Sequence, residues 1–62
     1  IMTYKQLTKQ IQDIEEQIDF MKNIASDLSD KEDVEMCGYI IDNLMCWKNT
    51  LIFDKEYVAK EK

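Results

Sequence analysis

The sequence predicts an all-α fold: an antiparallel two-helix hairpin that dimerises into a four-helix bundle. Three observations predict it. Tyr4, Leu7, Ile11, Ile14, Ile18, Met21, Ala25 and Leu28 recur at spacings of 3, 4, 3, 4, 3, 4 and 3, an unbroken heptad seam through the first half of the chain. A second seam, Cys37, Ile40, Leu44, Trp47, Leu51, Asp54 and Val58, repeats at 3, 4, 3, 4, 3 and 4 through the second half, with Asp54 its one polar member. Between the two lies a connection of only a few residues, which forces the helices to run back along each other.

The first helix is expected over residues 3 to 28. Thr3 followed by Gln6 is the T-x-x-Q form of a capping box, in which the hydroxyl and the side-chain amide satisfy backbone groups reciprocally. A turn over 29 to 31 follows, with Ser29 and Glu32 offering a second capping box, and the second helix is expected over 32 to 59. The whole chain, 1 to 62, reads as one domain. No Pro interrupts either helix, and the single Gly, Gly38, falls inside the second. It marks either an irregular first turn or a close approach of a neighbouring backbone. Folding the hairpin about residues 29 and 30 brings Trp47 level with Ile11 and Ile14, Leu44 level with Ile14 and Ile18, and Asp54 level with Lys5, predicting an Asp54–Lys5 ion pair.

The second helix is apolar on more sides than one partner helix can cover. Val34, Ile41, Met45, Ile52 and Ala59 form a flank, and Val34, Ile41, Met45 and Ile52 are the expected dimer interface. Tyr39, Cys46, Phe53 and Tyr57 lie nearly opposite the seam. Tyr39, Phe53 and Tyr57, with Phe20 and Ile24 of the first helix, are the expected surface for a protein partner, because aromatic side chains dominate interface hot spots.

Composition narrows the chemistry. The chain has 62 residues, and a core of that size supplies only about 3 to 5 kcal/mol unless a disulfide, metal or oligomer adds to it. Eight Lys face 13 Asp and Glu, for a net charge of −5, with no Arg and no His. Without Arg, sequence-specific DNA binding is disfavoured, and nucleic acid is not the expected partner. Without His, the usual neutral-pH proton carrier and the commonest nitrogen ligand are missing, so neither an enzyme nor a cofactor is expected. No apolar run approaches the roughly 20 residues that span a bilayer, and no apolar signal core opens the chain, so a cytoplasmic protein without membrane contact is expected. Cys37 and Cys46 are nine residues apart on one helix, about 13.5 Å along its axis and on opposite faces, too far to bond to each other. A reduced compartment fits them.

Asp27, Asp30, Glu32, Asp33 and Glu35, offset only by Lys31, make the hairpin tip acidic. The D-x-D-x-D-G register of a calcium loop is absent. Carboxylates here suit the positive end of the second helix, and they also offer a contact for a basic partner surface. A second acidic patch, Asp13, Glu15, Glu16 and Asp19, reads as a solvated helix face, since a di-iron bundle requires Glu-x-x-His pairs.

Leu28-Ser29-Asp30 followed by Glu32 and then Met36-Cys37, in a hairpin of this length with an acidic turn, resembles the Rop family of plasmid copy-number repressors. The resemblance implies a homodimeric bundle that binds paired RNA loops through its first helices. The outer face of the first helix offers Gln6, Gln10, Asp13, Gln17 and Phe20 with few cations beyond Lys9, whereas RNA binding needs several. The leading expectation is therefore a non-enzymatic interaction module: a small regulator or inhibitor, of the kind phages encode, that binds a host protein through apolar and aromatic helix faces. A Rop-like RNA-binding dimer and a coiled-coil assembly element are the alternatives.

Overall fold

A computed structural model describes residues 2 to 60, and the extreme ends of the expected 1–62 domain lie outside them. The described residues form two helices and no strand: α1, Tyr4–Asp27, and α2, Lys31–Lys60. They pack along each other as a rod of 49 × 14 × 14 Å.

Each end of α1 follows from its residues. The Thr3 hydroxyl accepts from the Gln6 backbone N–H at 3.2 Å, and the Gln6 side-chain carbonyl accepts from the Thr3 N–H at 2.9 Å, which completes the capping box. At the other end Leu28 leaves the helix in an extended conformation, its N–H donating to the Ala25 carbonyl at 3.3 Å. The connection uses no residue at positive φ, which explains how a turn without glycine closes.

Asp30, not Ser29, caps α2. Its carboxylate Oδ1 accepts from the Glu32 N–H at 2.9 Å, and its backbone carbonyl accepts the first helical bond from the Val34 N–H at 3.0 Å. The expected Ser29–Glu32 box does not form, because the first turn starts one residue later than that box requires. The carboxylate also sits at the positive end of the helix dipole.

Leu7, Ile11, Ile14 and Ile18 of α1 and Leu51 of α2 form the buried core. Met2, Ile41, Leu44, Ile52 and Val58 pack against it, and Cys37 is buried towards the tip. The side of α2 that meets α1 is Cys37, Ile41, Leu44, Lys48, Leu51, Lys55 and Val58, all buried or half-buried. This seam is turned by roughly 40° from the one predicted. Ile40 and Trp47, expected in the core, are 41% and 51% exposed. Close-packed helix axes lie about 8 to 10 Å apart, a distance that Ile41, Leu44 and Leu51 allow and that an indole at the centre of the seam would widen. Lys48 and Lys55, both half-buried, take the positions that sequence periodicity gave to Trp47 and Asp54, as a long aliphatic stem with a charged tip allows.

The predicted Asp54–Lys5 pair is consequently absent. Among the described residues the ion pair formed is Lys9–Asp13, at 3.0 Å within α1. At the open end the Lys55 ammonium instead sits over the Tyr4 ring, 4.9 Å from its centroid, a contact contributing about 0.5 to 1 kcal/mol at an exposed site. Gly38 lies in regular helix with open space where a Cβ would stand, so neither reason anticipated for it holds.

Candidate functional site

The side chains available for function are those the core does not use. Among the described residues ten large hydrophobic side chains are exposed: Tyr4, Phe20, Val34, Met36, Tyr39, Ile40, Met45, Trp47, Phe53 and Tyr57. At about 100° per residue they sort into three surfaces.

The first is the back of α2, pointing away from α1. Tyr39, Phe53 and Tyr57 are 63%, 70% and 62% exposed, and Cys46 lies on the same stripe. Helical spacing of 7, 7 and 4 residues stacks these four in a line. Thr50 is beside them, its hydroxyl donating to the Cys46 carbonyl at 3.1 Å. Three residues expected to bind a partner therefore form one exposed stripe.

The other two expected members of that surface are placed elsewhere. Phe20 is exposed on the outer side of α1, and Ile24 is half-buried on its flank, towards one broad face of the hairpin. On the same face Trp47 shares a shallow groove with Gln10, Asp13, Ile14 and Gln17. By helical position Ile40 and Met36 continue the line of Trp47 towards the tip, level with Phe20 and Ile24 respectively. This Trp47 face is the surface that sequence reasoning missed. The signal was a competing heptad phase in α2, offset by one residue, that placed Trp47 outside; its two lysines concealed it.

The opposite broad face carries the residues expected to form the dimer interface. Val34 and Met45 are exposed there, whereas Ile41 and Ile52 are half-buried against the hairpin's own core. A groove on this side is lined by Tyr4, Ile11, Ile52, Lys55, Glu56 and Ala59.

Asp27, Asp30, Glu32, Asp33 and Glu35 are all exposed at the tip. Asp30 is spent partly on capping, and the others face water. Lys9 has its pKa raised above the ordinary lysine value, first by the hydrogen bond to Asp13 and then by that carboxylate's charge. Cys37 and Cys46 are both free thiols, the first buried and the second exposed. Among the described residues no three His, Cys, Asp or Glu side chains converge to hold a metal ion. No described helix is long and apolar enough to cross a membrane. Comparison with protein-family models, with curated proteins and with solved structures finds no match to this chain.

Proposed function

We propose that this chain is a non-enzymatic interaction module that pairs with itself as a four-helix bundle and regulates or inhibits a second protein through the aromatic back of α2. The observation that carries the reading is the Tyr39, Phe53 and Tyr57 stripe, each side chain more than 60% exposed on a helix whose core-facing side is already satisfied. Burying one such side chain is worth roughly 1.5 to 3 kcal/mol, so a row of three supplies the centre of a protein interface. Tyr at two of the three positions suits a surface that is wet when free and apolar when bound.

Affinity capture with the native chain, compared with a Phe53→Ala, Tyr57→Ala double variant, tests the stripe. The variant is expected to keep its helical circular dichroism and its assembly mass while losing the captured protein. Loss of helicity or of assembly would show that the stripe belongs to a core, and unchanged capture would remove it from the partner surface.

A further inference from the structure

We propose that the Trp47 face docks an amphipathic helix of another protein, one whose apolar stripe carries lysine or arginine at both ends. The inference goes beyond the reading above: it uses a different face from the aromatic back of α2 and does not depend on self-association.

The first observation is the order of side chains along the face. Positions 33, 36, 40, 43, 47, 50 and 54 of α2 recur at spacings of 3, 4, 3, 4, 3 and 4 and so share one stripe. Its centre, Met36, Ile40, Asn43, Trp47 and Thr50, is uncharged, and Asp33 and Asp54 close its ends. Met36, Ile40 and Trp47 are 61%, 41% and 51% exposed, and both aspartates are exposed. The two carboxylates stand 21 residues apart, or about 32 Å along the axis. Beside the stripe Gln10, Asp13, Ile14 and Gln17 of α1 form with Trp47 a shallow groove between the two helices. Such a groove receives a third helix lengthwise. An extended peptide would need a sheet edge, and the described residues include no strand.

The second observation is charge, and it selects the occupant. By helical position the Trp47 side of the rod carries Asp13, Asp27, Glu32, Asp33 and Asp54 against Lys9. That lysine is already held by Asp13 at 3.0 Å, and among the described residues neither Asp33 nor Asp54 has an ion-pair partner. The opposite side carries Lys22, Lys31, Lys48 and Lys55 against Glu15, Asp19 and Glu56. The negative charge of the molecule is therefore concentrated where Trp47 is exposed. A second copy fits this face badly. Opposed hairpins would set Asp33 of each copy against Asp54 of the other, and parallel hairpins would bring the two acidic tips together. The complement of an uncharged, partly apolar band bracketed by carboxylates is a helix with an apolar centre and cationic ends.

Trp47 is the chain's one tryptophan, so its emission reports on this face and not on the back of α2. The probes are three synthetic helical peptides of about 21 residues, long enough to span the two carboxylates, all without tryptophan. One has leucines along one face and lysines at both ends, the second has the same leucine face with glutamates at both ends, and the third has the composition of the first with its leucines dispersed around the helix. The first peptide is expected to shift Trp47 emission to shorter wavelength, with an affinity that falls as salt is added. An Asp33→Asn, Asp54→Asn variant, checked for helicity by circular dichroism, should bind it about tenfold more weakly, the worth of two exposed ion pairs. A Phe53→Ala, Tyr57→Ala variant should bind it as the native chain does. An emission that the first peptide leaves unmoved, or that either of the other two shifts as strongly, overturns the proposal. So does binding that needs Phe53 and Tyr57, or an emission that shifts with the concentration of the chain alone, which would seat a second copy on this face.

Discussion

Replacing Gly38 with alanine should stabilise the hairpin by about 0.5 to 1 kcal/mol, because glycine carries the larger unfolded-state entropy and nothing stands where the Cβ would go. In a domain this small the gain appears as a rise of about 4 to 8 °C in melting temperature per kcal/mol; a fall would mean that the position is approached more closely than the structure shows. Asp30→Ala should cost about 1 kcal/mol through loss of the bond to the Glu32 N–H, whereas Ser29→Ala should cost little, since Ser29 is not the cap. Lys9 behaves differently. Its raised pKa means that the Lys9–Asp13 pair contributes at neutral pH and that the contribution disappears as pH rises through the folded-state value. The lysine side chain is 71% exposed and the carboxylate 47%, so the pair is well screened by solvent and Lys9→Met should leave the thermal midpoint nearly unchanged at moderate salt; a clear loss would show that the pair is better shielded than the structure shows.

The two helices differ in how plainly their sequences state their roles. In α1 one stripe dominates, and Leu7, Ile11, Ile14 and Ile18 are buried as their spacing requires. In α2 two heptad phases compete: one is richer in apolar residues, with Ile40 and Trp47, and the other includes Lys48 and Lys55. Hydropathy alone favours the first. Side-chain size and the reach of a lysine stem decide for the second, and neither is visible in an apolar pattern. That rotation is why the hairpin, its register and its first cap were legible while the Trp47 face and the Tyr4–Lys55 contact were not. Two substitutions separate the phases. Ile14→Ala removes a core side chain that is 3% exposed and should cost about 2 to 5 kcal/mol, enough to abolish helical circular dichroism in a fold this small. Trp47→Ala should leave the hairpin folded, because the indole is already 51% exposed. A Trp47→Ala chain that unfolds at every dilution would restore the indole to the core.

For the whole molecule, the shape sets the requirement. A rod of 49 × 14 × 14 Å has little interior, and what it leaves exposed on the back of α2 and on the Trp47 face is the protein's most distinctive chemistry. In the reading proposed above, self-association and the binding of a different protein would divide the exposed surfaces of the rod between them. RNA is a poor occupant of either, since the chain carries net charge −5 and Lys9, on the outer side of α1, is already paired. Binding to paired RNA loops that is tight at low salt and falls steeply as salt is added would count against this division. Self-association is the condition on which the rest depends, and sedimentation equilibrium of the native chain from low to high micromolar concentration measures it directly. The expected mass is twice 7.4 kDa, with dissociation on dilution; a mass of 7.4 kDa throughout would contradict it.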